Sequence, residues 1–195
     1  MQRTEERTNK IKRVLENRQL DLTVVLENVH DPHNVSAVLR TCDSVGIYEV
    51  FLVYHSGQKF PDLSKRSSAS AVKWVKLNFF DNVEECFELL RKREFKIYTT
   101  ALTANSVSLY SLDLTERIAL VFGNEHTGVS LKAVELADAN FRIPQVGMVE
   151  SLNISVACAV SLYEAFRQRY QKGKYSSPQI TGEMFETIFS KWLEK

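Results

Sequence analysis

The sequence predicts an α/β domain: a mostly parallel sheet flanked by helices. Three observations carry that reading. Short apolar runs of four to six residues alternate with longer segments whose apolar side chains recur every three or four positions. Cap and stop residues stand between the two kinds of segment. The chain is 195 residues long, 44% hydrophobic and 25% charged, which suits one domain of ordinary composition with a sizeable core.

The elements follow in order. Residues 4–18 read as a basic helix with a thin apolar stripe of Ile11, Val14 and Leu15. Leu22 to Leu26 is a continuous apolar run, as a strand buried on both faces requires. Asp31-Pro32 supplies a helix cap and a first-turn proline. Val35, Val38, Leu39, Cys42 and Val45 then follow at helical spacing, and Gly46 closes the helix. Val50–Val53 is the next strand, and a Ser/Lys-rich stretch at 64–73 leads to a further short strand at Trp74–Leu77. Residues 82–93 read as helix through Val83, Phe87 and Leu90. Phe95–Leu102 and Ile118–Phe122 read as strands, Ser130–Ala137 as helix, and Phe141-Arg142-Ile143 as a last strand. Residues 153–170 form a long helix with Val156, Ala159, Val160, Tyr163 and Phe166 on one face. Gly173, Ser176, Ser177 and Pro178 make a linker. Beyond it, Thr181 caps a final amphipathic helix whose stripe is Phe185, Ile188, Phe189, Trp192 and Leu193. That stripe is too apolar for water and must pack on the body, on the N-terminal helix or on a second subunit. The expected division is a basic helical extension at 1–20, a central domain at 21–171, and a linker with the amphipathic helix at 172–195.

Net charge is only +1, yet the basic residues cluster. Residues 1–20 carry Arg3, Arg7, Lys10, Lys12, Arg13 and Arg18 against three glutamates. Residues 59–76 carry Lys59, Lys65, Arg66, Lys73 and Lys76 against Asp62, and Arg167, Arg169, Lys172 and Lys174 face Glu164. Such patches suit a phosphate backbone, although solvated helix faces look the same. Cys42, Cys86 and Cys158 cannot all pair and form no CxxC, so reduced thiols in a cytoplasmic protein are expected. The N-terminus lacks the apolar core of a signal peptide, and no apolar run approaches a membrane span. There is no GxGxxG, no GxxxxGK[ST] and no GxSxG, so dinucleotide, P-loop and esterase readings lack support. His30 and His33 have no further ligand cluster, and no metal is expected.

Three segments instead place fixed polar groups where strands give way to loops or helices. They are Asn34 to Thr41, Val121 to Gly128, and Ile143 to Ser155. In open α/β sheets ligands sit at such places. Taken singly, each also fits a structural role: an exposed helix arginine at Arg40, a turn at Gly123-Asn124, a helix cap at Ser151 or Asn153.

Taken in order, the three segments resemble the three motifs of the SPOUT RNA ribose 2′-O-methyltransferases, TrmH branch. The first matches at Asn34 and Arg40, the second at Gly123-Asn124-Glu125-His126-Thr127-Gly128. The third matches at Ile143-Pro144, Gly147-Met148-Val149 and Ser151-Leu152-Asn153-Ile154-Ser155. The likeness covers about residues 20–170. Lys65–Trp74 resembles the family's basic loop, with Ser70-Ala71 where Gly-Ala is usual.

The resemblance implies a deep C-terminal trefoil knot, a homodimer, and S-adenosyl-L-methionine (AdoMet) bound in the knot. It implies a cofactor pocket of Leu102, Gly123, Asn124, Ile143, Met148, Ser151 and Leu152, served largely by backbone groups. It implies a transfer site of Asn34, Arg40, Glu125, Ser151 and Asn153. Arg40 is the family's proposed activator of the ribose 2′-hydroxyl. A neutral arginine near pH 7 costs about 7 kcal/mol. Pairing with a neighbouring phosphate and stabilising the forming alkoxide is an easier role, with Glu125 fixing or orienting the guanidinium. Arg7, Lys10, Arg13, Lys65, Arg66, Arg167 and Lys172 are the expected RNA contacts. The basic N-terminal helix, the helical tail and the run at residues 24–34 are similar to members acting on guanosine 18 in the tRNA D-loop. Another tRNA position, a ribosomal RNA, a silent RNA-binding member of the fold, and an unrelated small-molecule enzyme stand as alternatives.

Overall fold

The described residues form one sheet of seven strands, all parallel. The computed structural model describes residues 4–55, 57, 60–61, 71–149 and 151–195. Lys65, Arg66 and Ser70 lie outside them. Chain order is α1 (Glu5–Glu16), β1 (Leu22–Glu27), α2 (Pro32–Ser44), β2 (Glu49–Val53), β3 (Lys76–Phe80), α3 (Val83–Lys92), β4 (Lys96–Thr100), β5 (Val107–Ser108), β6 (Ile118–Phe122), α4 (Leu131–Leu136), β7 (Ala139–Arg142), α5 (Ile154–Gln171) and α6 (Gly182–Leu193). Across the sheet the strands stand in the order β3-β2-β1-β6-β4-β7-β5.

The central strands β1, β2 and β6 are buried along their whole length, because helices cover both faces. Leu22, Val24 and Leu26 point to the side packed by α2 and α5, through Val35, Val38, Leu39, Cys158, Leu162 and Ala165. Val25, Phe51 and Val53 meet α3 and α4 on the other side, through Cys86, Phe87, Leu90 and Ala133. Caps fix the helix starts. Asp31 accepts from the His33 N–H at 2.8 Å with Pro32 in the first turn, and Asn82 accepts from the Glu85 N–H at 2.8 Å.

A third cluster joins the two ends of the chain. Ile11 and Leu15 of α1 pack with Ile180, Ile188 and Trp192, so the apolar stripe of α6 covers the N-terminal helix. Trp192 also meets the Trp74 ring edge to face, with centroids 5.1 Å apart.

The structure moves several expectations. Trp74 precedes its strand, following a 3-10 turn at Ala71–Lys73, and β3 starts at Lys76, because Trp74 is drawn onto α6. β4 stops at Thr100, β7 starts at Ala139, and the two-residue β5 is too short to leave a pattern in the sequence. Thr181 stands at the cap of α6, but its side chain makes no cap hydrogen bond. The expected face of the long helix is only partly its buried one, with Val160 and Phe166 packed against the core. The buried side of α5 is Ile154, Cys158, Ser161, Leu162, Ala165 and Arg169, whereas Val156 and Tyr163 are exposed. Apolar residues surround this helix, so spacing alone does not single out the core side.

Two arginines of the basic clusters are internal. Arg169 is fully buried, forked onto Gln19 Oε1, the Glu116 carbonyl and the Asp21 carboxylate. Arg18 is likewise buried, paired with Asp43 and donating to the Ile47 carbonyl at 2.7 Å.

Candidate active site

β1 and β6 lie side by side, and the chain leaves them toward opposite faces of the sheet: β1 feeds α2, β6 feeds α4. Their carboxyl ends therefore open a crevice where loops from both sides can meet over a ligand. The three polar segments converge there.

Gly123 ends β6 where no side chain fits. A Cβ on it would lie 2.1 Å from both the Gly128 carbonyl carbon and the Val129 nitrogen. The chain folds back tightly at this point: Asn124 N–H donates to the Gly128 carbonyl at 3.0 Å and Gly128 N–H to the Asn124 carbonyl at 2.9 Å. Gly128 itself has φ +69°, a left-handed value that glycine adopts without strain.

Asn124 braces this loop rather than facing outward. Its Nδ2 donates to the Asn28 carbonyl at 2.8 Å, and its Oδ1 accepts from the His126 and Thr127 N–H groups at 2.8 and 3.4 Å. With its side chain so engaged, any contact with a cofactor falls to its backbone.

The tip of the loop carries Glu125. Its Oε1 accepts from Asn34 Nδ2 at 2.7 Å, and Asn34 Oδ1 accepts from Asn153 Nδ2 at 3.1 Å. Asn153 caps α5, its Oδ1 accepting from the Ser155 N–H at 2.8 Å and from Ser155 Oγ at 2.6 Å. One line of amide and carboxylate groups thus ties all three segments together. Burial pushes the Tyr54 phenol up, and the Glu125 charge adds to the shift. That phenol donates to the Val29 carbonyl.

Arg40 projects from the exposed side of α2 and makes no hydrogen bond or ion pair with a described residue. Glu125 holds Asn34. Arg40 stands on the same helix as Asn34, about a turn and a half further on, with its side chain exposed. Ser151 is exposed on the segment leading into Asn153.

The neighbouring strand ends supply a different surface. β4 lies between β6 and β7, so Leu102, Gly123 and Ile143 follow adjacent carboxyl ends. Leu102 is 72% exposed, Met148 99%, and Leu152 also faces out, while Ile143 packs against the core. The backbone groups of residues 146–149 make no hydrogen bond with other described backbone. Exposed apolar side chains beside unused N–H and C=O groups fit an adenosine: its faces need apolar cover and its edge needs backbone partners.

The expected RNA contacts divide. Arg7, Lys10, Arg13 and Lys172 are exposed. Arg167 is held by Glu164 through two bonds of 2.8 and 2.7 Å and by Gln171 at 2.9 Å, so it is less free than expected. That pairing lowers the Glu164 carboxyl and raises the Arg167 guanidinium. Among the described residues no group of three His, Cys, Asp or Glu is placed to hold a metal ion. Sequence reasoning missed Glu27 and Asn28, which lie directly beneath the loop. They lie in the run at residues 24–34, which names no role for either side chain.

Comparison with known proteins agrees with this geometry. The profile described as the SpoU rRNA methylase family matches residues 21–163. A tRNA (guanosine(18)-2′-O)-methyltransferase of Thermus thermophilus is 45% identical over 194 residues, covering 100% of this chain and 99% of that protein. Its namesake from Aquifex aeolicus is 41% identical over 188 residues, covering 96% and 89%. The crystal structure of an A. aeolicus TrmH/SpoU tRNA modifying enzyme superposes with a TM-score of 0.90 at 40% identity, covering 97% of this chain and 96% of that one. An AdoMet-bound rRNA methyltransferase from Sinorhizobium meliloti gives 0.69 at 29% identity, covering 80% and 59%.

Proposed function

The chain belongs to the SpoU rRNA methylase family, and from that premise we propose that it transfers a methyl group from AdoMet to the ribose 2′-hydroxyl of guanosine 18 in the tRNA D-loop. Its fold is the SPOUT fold, a parallel sheet flanked by helices with a trefoil knot toward the C-terminus. The observation that carries the reading is the line Asn34–Glu125–Asn153, which joins the three segments. The tRNA assignment draws on the relatives that match along nearly their whole length.

Bound AdoMet would supply a methyl on a sulfonium centre, open to in-line attack by a 2′-oxygen, the C–S bond breaking as the C–O bond forms, with a neutral thioether leaving and the hydroxyl proton passing to solvent. The protein's part is alignment and charge. Leu102, Ile143, Met148 and Leu152 give the adenosine apolar cover, and the backbone of residues 146–149 meets its polar edge. Gly123 lets the loop close, and Asn124 keeps it closed. Asn34, held between Glu125 and Asn153, fixes the wall of the pocket next to the ribose. Arg40 forks onto the adjacent phosphate and stabilises negative charge growing on the 2′-oxygen. Ser151 lines the same site. No step calls for a metal. Arg7, Lys10, Arg13 and Lys172, with Lys65, Arg66 and a more tightly held Arg167, contact the RNA backbone.

The same reading makes the protein a cytoplasmic homodimer. Val156, Tyr163 and Tyr170 form an exposed apolar strip along α5 that a second copy would cover. Sedimentation at micromolar concentration tests this, and a monomer would remove the dimer. No helix among the described residues is long and apolar enough to cross a membrane.

The deciding experiment is AdoMet-dependent methylation of an unmodified tRNA transcript, with the methylated ribose mapped. A ribosomal fragment as sole substrate would overturn the tRNA assignment. Arg40→Lys keeps the charge and loses the fork. Its expected rate is lower by at least about tenfold, and methyl transfer at the parental rate, followed with tritiated AdoMet, would show that the guanidinium fork is dispensable.

A further inference from the structure

We infer that Glu27 and Asn28 are positioning residues for methyl transfer: they hold both ends of residues 124–130 and so set Glu125 against Asn34. The inference rests on the function proposed above. The pair sits where β1 ends, directly under the loop that follows the adjacent β6. Glu27 is 1% exposed. Its Oε2 accepts from the Ser130 N–H at 2.8 Å, pinning the far end of the loop where α4 begins. Its Oε1 lies 3.2 Å from His55 Nε2. Asn28 pins the near end, its carbonyl accepting from Asn124 Nδ2 at 2.8 Å. Between these two anchors the loop is exposed from Glu125 to Gly128, with Asn34 the described hydrogen-bond partner of the Glu125 carboxylate.

Asn28 can do this because of its backbone. Its φ is +53°, in the left-handed region that asparagine tolerates and most side chains resist. That turn aims its carbonyl at Asn124, while its N–H still donates to the Val53 carbonyl at 2.9 Å and its Oδ1 accepts from the His55 N–H at 3.2 Å. A carboxylate this deeply buried needs its acceptors filled, and here one oxygen is filled from the loop itself. The loop's place is therefore written into the end of β1, outside the three segments that carry the chemistry.

The test uses the full-length protein. Amide exchange followed by mass spectrometry reads the loop, calorimetry reads AdoMet affinity, and steady-state assays on a tRNA transcript give kcat and KM. Asn28→Ala disfavours the left-handed turn. It is expected to speed exchange of residues 124–130, weaken AdoMet binding and lower kcat by at least about tenfold, with the tRNA KM within about twofold. Asn28→Gly restores the turn without the side chain and should recover most of each loss. Glu27→Ala, which removes the acceptor of the Ser130 N–H, should also speed exchange in this loop, and parental exchange there would overturn the role of Glu27. Parental exchange and kcat in Asn28→Ala would overturn the inference, as would Asn28→Gly behaving no better than Asn28→Ala. So would losses of kcat that only track the folded fraction at the assay temperature. If the parental protein fails to methylate tRNA, the proposed function falls, and the exchange results alone still decide whether this pair holds the loop.

Discussion

Gly123→Ala puts one methyl group into the tightest contact at the site. The new Cβ would stand 2.1 Å from backbone atoms of Gly128 and Val129, where carbon contacts settle at about 3.5–4.0 Å. Backbone cannot rotate aside, so the 124–128 loop must retreat by roughly 1.5 Å. That displacement breaks the paired bonds between Asn124 and Gly128, at about 0.5–1.5 kcal/mol each. Overpacking at the buried strand end adds about 1–3 kcal/mol, for a total of about 2–6 kcal/mol. A chain of this size loses about 2–4 °C of Tm per kcal/mol, so melting falls by roughly 4–24 °C. The catalytic loss is larger than stability alone gives, because Glu125 is carried away from Asn34. Misplacement on this scale costs about a hundredfold in rate. Scanning calorimetry and tritiated-methyl transfer, run below the new Tm, read the two effects separately. A variant that melts within about 1 °C of the parent and transfers methyl at the parental rate would refute the claim that the site needs the closed loop.

Two further outcomes follow from buried polar groups. Arg169→Ala removes the guanidinium that joins Gln19, Asp21 and the Glu116 carbonyl, and leaves those acceptors unfilled. It should cost about 3–5 kcal/mol in urea unfolding, and a loss under about 1 kcal/mol would show that Lys174 and Gln179, which also reach Asp21, suffice. Burial pushes the Tyr175 phenol up to about 12, where it donates to the Val45 carbonyl. An unfolded tyrosine ionises near pH 10. The contribution is therefore whole below pH 10 and is lost as pH rises through about 12, so unfolding curves at pH 9 and 11 should diverge less in Tyr175→Phe than in the parent.

The order of strands and helices is legible because its signals are local. Asp31-Pro32 starts a helix wherever it lands, and runs such as Leu22–Leu26 declare a strand covered on both faces. The three motif segments are legible as a set, and they do converge: Asn34, Glu125 and Asn153 form one hydrogen-bonded line. What local pattern cannot carry is the direction in which a side chain is spent. Arg169 and Arg18 look like surface charge in a basic cluster, yet each is buried against carbonyls and a carboxylate contributed by distant segments. Asn124 reads as a ligand group and is used up bracing its own loop. On α5, apolar residues all round the helix hide which side faces the core. Glu27 and Asn28 lie in the run at residues 24–34, but their partners Ser130 and Asn124 are about a hundred residues away, so the run does not declare what they hold.

The packing of α6 on α1 sets a schedule for biosynthesis. Ile11 and Leu15 leave the ribosome well before the residues that cover them, Ile180, Ile188 and Trp192. At ordinary elongation rates the interval is on the order of ten seconds or more. Throughout it the first helix carries an uncovered apolar stripe next to its basic residues. A nascent chain stalled before residue 180 would expose that stripe for as long as the stall lasts, and become a client for chaperones. Synthesis of α6 thus changes how much apolar surface α1 exposes.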